Sequence, residues 1–115
     1  MRVLVIDDSA LTRKMIKDII LEEVEYATFE EAADGDEALD KINRCNFDVY
    51  TIDYNMPGAN GEIVALAAKT ASPNGRILML TSRDEPEVQQ RVERMGVRFL
   101  KKSDFEEELK AFVSS

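Results

Sequence analysis

The amino-acid sequence predicts an α/β fold, a parallel sheet doubly wound by helices. Three observations predict it. Runs of consecutive apolar residues, Val3–Ile6 and Ile77–Leu80 the clearest, read as strands buried on both faces. Between such runs lie stretches whose apolar residues recur at helical spacing. Strand and helix alternate five times with short connections, and that alternation belongs to a parallel sheet.

The first strand is Val3–Ile6, ended by Asp7-Asp8. Ser9 is placed to cap the helix that follows. Leu11, Met15, Ile16, Ile19 and Ile20 form its predicted buried face, while Arg13, Lys14, Lys17 and Asp18 point to solvent. Tyr26–Ala33 reads as a weaker strand, and Glu30 with Glu31 suits an edge position. Asp34 and Glu37 have capping-box spacing and open a helix with Ala38, Leu39 and Ile42 inward. Asn43–Asn46 is its exit loop. The third strand, Phe47–Asp53, runs into Asp53-Tyr54-Asn55-Met56-Pro57 and a turn that ends at Gly61. Ile63–Thr70 is apolar and alanine-rich, a helix lying close on the sheet, and Ser72-Pro73-Asn74-Gly75 breaks it. The fourth strand, Ile77–Leu80, ends in Thr81-Ser82. Pro86 suits the first turn of a helix. Val88, Val92 and Met95 share one of its faces, and Gly96 suits its C′ position. Val97–Leu100 is the fifth strand. Ser103-Asp104-Phe105-Glu106 has the form of a capping box and opens a last helix with Phe105, Leu109, Phe112 and Val113 buried.

At 115 residues the chain is read as one domain, 1–115, large enough for a real core. Apolar residues make up 44% and charged residues 33%, as in soluble globular proteins. The net charge of −8 argues against direct binding to nucleic acid or anionic membranes, which need basic patches. Cys45 is the single cysteine, so no internal disulfide can form. No apolar run approaches the ~18 residues of a membrane span, and no leader pattern is visible, so a cytoplasmic place is expected. Histidine is absent, which excludes histidine catalysis, histidine metal ligands and a phosphohistidine on this chain.

In an open α/β sheet, ligands bind in the crevice at the carboxyl ends of the strands. Asp7, Asp8 and Asp53 all stand at such ends. Three carboxylates converging there repel one another unless a cation lies among them. One aspartate at a strand end is explained as well by helix capping. The coincidence of three with Thr81 and Lys102 at neighbouring strand ends is what marks a site.

In these residues, Asp7-Asp8, Asp53 with Met56-Pro57 and Gly61, Thr81-Ser82, and Phe99-Leu100-Lys101-Lys102, the whole chain resembles the CheY-like receiver domain of two-component response regulators. The resemblance implies a flavodoxin-like (βα)5 fold with strand order 2-1-3-4-5. It implies that Asp53 is the phosphoryl acceptor. Asp8 would ligate Mg²⁺ directly, Asp7 would support it through water, and Asn55 would add its backbone carbonyl, so that Asp7, Asp8, Asp53 and Asn55 form the metal site. Thr81 would hydrogen-bond the phosphoryl group and Lys102 would pair with its charge. Phe99 would turn inward as Thr81 moves, changing the face made by the fourth helix, fifth strand and fifth helix. Asn55 and Arg83 would tune the lifetime of the acyl phosphate. The implied partners are a histidine kinase or phosphotransfer protein as donor and a protein output target, in a chemotaxis-like pathway. A monomer is expected, and no enzyme activity beyond the chain's own phosphorylation and dephosphorylation.

Two departures from the family pattern stand out. Ser103 follows the lysine where the family usually has proline, and a non-proline cis bond costs ~2.5–4 kcal/mol, so a trans Lys102-Ser103 bond is expected. Gly96 and Phe99 are one residue closer than usual, which leaves the lysine open between Lys101 and Lys102. The aromatic-x-x-Lys spacing favours Lys102. Two other functions use related parts. A phosphohydrolase of the haloacid-dehalogenase type has an Asp-x-Asp nucleophile motif, against Asp53-Tyr54-Asn55 here. A flavodoxin-like flavin carrier needs a Ser/Thr/Gly-rich phosphate loop after the first strand, against Asp7-Asp8-Ser9.

Overall fold

The computed structural model describes residues 1–114; of the span read as one domain, Ser115 lies outside the described residues. The elements are β1 (Arg2–Ile6), α1 (Ala10–Glu23), β2 (Thr28–Ala32), α2 (Gly35–Arg44), β3 (Val49–Asp53), α3 (Gly61–Ala71), β4 (Arg76–Thr81), α4 (Pro86–Arg94), β5 (Arg98–Lys101), a 3-10 turn (Lys102–Asp104) and α5 (Phe105–Ser114). The five strands form one parallel sheet in the order β2-β1-β3-β4-β5. Among the described residues no helix is long and apolar enough to cross a membrane.

Side chains alternate across a strand, and here both faces are covered. Leu4, Ile6, Tyr50, Ile52, Ile77 and Met79 pack with residues of α2, α3 and α4. Val3, Val5, Val49, Leu78 and Leu80 pack with residues of α1 and α5. Double burial is why these strands read as unbroken apolar runs. β2 lies at the sheet edge, and there Glu30 and Glu31 stay partly exposed.

Side chains cap the first three helices, at Ser9 and Asp34 as the spacing predicts and at Asn60, which the sequence reading leaves in a turn. Ser9 Oγ accepts from Thr12 N, Asp34 Oδ1 from Glu37 N, and Asn60 Oδ1 from Ile63 N. Glu37 Oε1 completes the second cap by accepting from Ala33 N, one residue before the cap position. Gly96 follows α4 with φ +85°, a conformation that favours glycine.

Four expectations are corrected. Leu11 and Met15 are 69% and 45% exposed. Arg13 stands level with Asp7, one residue past β1, so Leu11 has no sheet beneath it. Met15 falls on the flank of α1 beside Lys102, Phe105 and Glu106, where a shallow open depression leaves it half-covered. Arg13 and Lys17 do not point freely to solvent, because both lie across the sheet edge and bond Glu31. Long cationic side chains cover apolar surface with their stems while their heads find partners. Ser103 does not cap α5: it lies inside the 3-10 turn, and α5 begins at Phe105. Lastly, β3 starts at Val49, because Phe47 and Asp48 still belong to the entry loop, where Asp48 Oδ2 accepts from Arg2 N. The Lys102-Ser103 peptide is trans, as expected.

One close approach shapes the loop after β3. Gly35 N donates to Pro57 O at 3.0 Å, and a Cβ on Gly35 would sit 1.9 Å from the Ala59 carbonyl oxygen. The loop that follows Asp53 therefore rests directly on the first turn of α2.

Candidate functional site at the strand ends

β1 and β3 lie side by side, and their ends bring Asp7 and Asp53 into the crevice. Asp7 and Asp53 are buried, at 1% and 3% exposure, whereas Asp8 is exposed. Asp7, Asp8 and Asp53 each present a carboxylate oxygen within 4.8 Å of the others. From the end of β5, Lys102 Nζ reaches Asp7 Oδ2 at 3.0 Å and Asp53 Oδ1 at 3.4 Å. Lys101 points elsewhere, to Asp84 at 3.1 Å. Of the two lysines left open by spacing, the structure brings Lys102 to the carboxylates.

Asp53 is also met by its own loop, where Asn55 N donates to Oδ1 at 3.1 Å. Thr81 is fully buried at the end of β4. Its Oγ1 accepts from Asn55 Nδ2 at 3.4 Å and from Arg83 N at 3.3 Å, and Arg83 Nη2 reaches Asn55 Oδ1 at 3.4 Å. Asn55, Thr81 and Arg83 thus form one small polar chain beside Asp53. Phe99 is only 6% exposed and packs in the cluster that contains Met79, Val88 and Val92.

The charges are unbalanced. Burial, then the neighbouring Asp7 carboxylate, pushes the Asp53 carboxyl up from its ordinary 3.8 to about 6, against the opposing pull of Lys102 and of the Asn55 N–H. Burial by itself lowers Lys102, but its hydrogen bond to Asp7 and the charges of Asp53 and Asp7 outweigh that and hold it above the ordinary lysine range. One ammonium does not neutralise three carboxylates. An all-oxygen donor set with excess negative charge suits a hard divalent cation.

Sequence reasoning missed Arg13. Its Nη1 donates to the Asp7 carbonyl oxygen at 2.5 Å, and its Nε to Glu31 Oε1 at 2.8 Å. Lys17 Nζ takes the other oxygen, Glu31 Oε2, at 2.8 Å. Hydrogen bonds from Lys17 and Arg13 hold the Glu31 carboxyl below the usual carboxylate range. The available signal was a cation near a helix N-terminus, where the helix dipole disfavours one.

Comparison with known proteins places the chain in a family. The family model described as "Response regulator receiver domain" matches residues 3–114. The chain is 50% identical over 60 residues to a protein-glutamate methylesterase/protein-glutamine glutaminase of Pyrococcus abyssi, a match that covers 52% of this chain and 16% of that protein. The chain thus spans only a small part of that relative's length. It is 36% identical over 81 residues to the chemotaxis protein CheY of Thermotoga maritima, covering 70% of this chain and 67% of the relative. Among solved structures, the chemotaxis response regulator CheY4 of Vibrio cholerae superposes with a TM-score of 0.77 at 36% identity, covering 94% of this chain and 91% of that one. With a family model over nearly its full length and the acidic crevice at its strand ends, the chain belongs to the response regulator receiver domain family of two-component signalling.

Proposed function

We propose that this receiver domain is a phospho-acceptor whose acceptor is Asp53. The observation that carries the reading is the buried Asp53 carboxylate held between the Asp7 carboxylate and the Lys102 ammonium at the end of β3. An Asp53 oxygen attacks the phosphorus of a phosphohistidine on a donor protein. The P–N bond breaks, the imidazole leaves with the electron pair, and an acyl phosphate forms. Such transfer is mostly positioning and charge neutralisation. Lys102 supplies one positive charge, already 3.4 Å from Asp53 Oδ1. Asp7, Asp8, Asp53 and the Asn55 carbonyl are the groups that would hold Mg²⁺, which supplies further positive charge to the phosphoryl oxygens when bound. The Thr81 hydroxyl, which accepts from Asn55 and Arg83 at the end of β4, is a neutral donor for those oxygens.

The donor is a histidine kinase or phosphotransfer protein, since this chain has no histidine, and a cytoplasmic place follows from the ATP that feeds such donors. The output is a protein partner at the face made by α4, β5 and α5, in a chemotaxis-like pathway. The switch joins Phe99, buried beside Met79, Val88 and Val92, to the Thr81–Asn55–Arg83 chain. Asn55 offers an amide where an aspartyl phosphohydrolase would need its second carboxylate, so that alternative gains no support. The test is incubation with acetyl phosphate and Mg²⁺ followed by intact-protein mass spectrometry. Wild type should gain one phosphoryl group and Asp53→Asn none; equal uptake by the variant would refute the assignment.

A further inference from the structure

We infer that Arg13 is a positioning residue for the acidic cluster: its guanidinium fixes the Asp7-Asp8 peptide, and Glu31 fixes the guanidinium. The inference rests on the proposed cation site and deepens it by naming what sets its affinity.

Asp7 is held at every polar atom. Its N–H donates to Ala32 O at 3.0 Å, its Oδ1 accepts from Ser9 N at 2.9 Å, its Oδ2 accepts from Lys102 Nζ at 3.0 Å, and its carbonyl accepts from Arg13 Nη1 at 2.5 Å. Asp8 is exposed and follows Asp7 directly, so the peptide between them sets where its Cα lies. That peptide is planar. A bond that fixes the Asp7 carbonyl therefore also fixes the Asp8 N–H and the Asp8 Cα from which the side chain departs. Arg13 is the side chain that makes this bond.

The guanidinium is itself immobilised. Arg13 is only 15% exposed along its side chain. Its Nε is bound to Glu31 Oε1, Glu31 Oε2 is bound to Lys17, and the Glu31 carbonyl accepts from Lys41 Nζ at 2.5 Å. A planar fork serves two acceptors at a fixed angle, which an ammonium cannot do. Helix stability does not call for an arginine there. Arg13 lies near the N-terminus of α1, whose first turn holds no acidic residue, and a cation in that position opposes the dipole.

Charge and position predict opposite signs, which makes the inference testable. If Arg13 acted only through its charge, it would repel a divalent cation, and removing it would tighten binding. If it acts by position, removing it weakens binding, and partners of this kind typically contribute 10–100-fold in metal affinity. The experiment is calorimetric titration with Mg²⁺ at fixed ionic strength for wild type, Arg13→Met, Arg13→Lys, Glu31→Gln, the Arg13→Met/Glu31→Gln double variant and Lys14→Met. Spectra of ¹⁵N-labelled, metal-free protein accompany it. Arg13→Met should weaken Mg²⁺ about 10-fold or more. Arg13→Lys, with the charge kept, should recover only part of the loss. Glu31→Gln should weaken binding in the wild-type background and add little once Arg13 is gone. Lys14→Met, which removes an exposed cation paired with Asp18 on the same helix, should leave affinity unchanged. In the metal-free spectra the Asp8 amide nitrogen should shift or broaden in Arg13→Met. Unchanged or tighter Mg²⁺ binding in Arg13→Met overturns the inference. If wild type itself binds no Mg²⁺, the cation reading falls separately, and an unmoved Asp8 resonance then overturns the role of Arg13.

Discussion

Replacing Asp53 by Asn should stabilise the metal-free protein at neutral pH. The Asp53 carboxyl is raised from 3.8 to about 6, chiefly by burial and then by Asp7. The folded state thus holds this proton more tightly than the unfolded state does. Between those two values the unfolded chain is ionised while the folded one stays protonated. Stability falls as pH rises through this window, and the loss is complete above the folded value. A shift of that size corresponds to about 3 kcal/mol, at 1.36 kcal/mol for each pKa unit. Asparagine keeps the oxygen that accepts from Asn55 N and carries no charge to bury. Urea denaturation of both proteins in EDTA, followed by circular dichroism across pH 4–8, should give a gap of about 3 kcal/mol at pH 7.5 that closes towards pH 4. For a chain of this length that gap is on the order of 10 °C in melting temperature. Adding Mg²⁺ should narrow it by stabilising wild type more. Equal stabilities at pH 7.5, or a gap that does not change with pH, would refute the reasoning.

Other substitutions probe other contacts. Thr81→Ala should leave Asp53 phosphorylatable but remove much of the phosphorylation-dependent gain in partner affinity, typically ~1–3 kcal/mol; calorimetry with phosphorylated and unmodified protein reads the difference, and an undiminished gain would count against a Thr81 switch. Asn55→Ala and Arg83→Ala break the polar chain beside Asp53 and should change the rate of acyl-phosphate hydrolysis with the circular dichroism spectrum intact; identical rates would exclude both. Gly35→Ala drives a methyl into the Ala59 carbonyl and should cost ~1–3 kcal/mol as overpacking does; an unfolding midpoint equal to wild type would mean the loop is not seated on α2. Thr51 Oγ1 is buried without a hydrogen-bond partner, so Thr51→Val should stabilise by roughly 1 kcal/mol, and a loss of stability would show that the hydroxyl is satisfied in solution.

The sequence made most of the fold legible because the strands are buried on both sides. Val3–Ile6 and Ile77–Leu80 have no polar side chain, and the structure covers both faces of each. The caps at Asp34 and Gly96 were legible because they depend on local chemistry. What failed depends on the surroundings. A helical wheel puts Leu11 on the apolar side of α1, but periodicity does not say where the sheet beneath it ends. The same wheel puts Arg13 on the outer side, where the end of β2 rises with Glu31. The Ser103 capping pattern has the right spacing, yet the chain tightens into a 3-10 turn that starts at Lys102, whose ammonium is tied back to Asp7 and Asp53. Gly35 reads as part of a helix start, while its second task, leaving room for Ala59, involves a loop more than twenty residues away. Of the two lysines at the end of β5, the aromatic-x-x-Lys spacing already favours Lys102, and the tertiary contacts put that one in the crevice and Lys101 against Asp84.

The bond between Asp7 and Lys102 joins positions 95 residues apart. A ribosome adding ~5–20 residues per second takes roughly 5–20 s to pass from one to the other. Until then the nascent chain carries its carboxylates without their ammonium. A polypeptide interrupted before residue 102 could retain the first four strands and still lack the charge that steadies Asp53. The charge balance of the crevice is therefore complete only once translation has passed Lys102, and a chain stopped short of that point leaves Asp7 and Asp53 without their shared counter-charge.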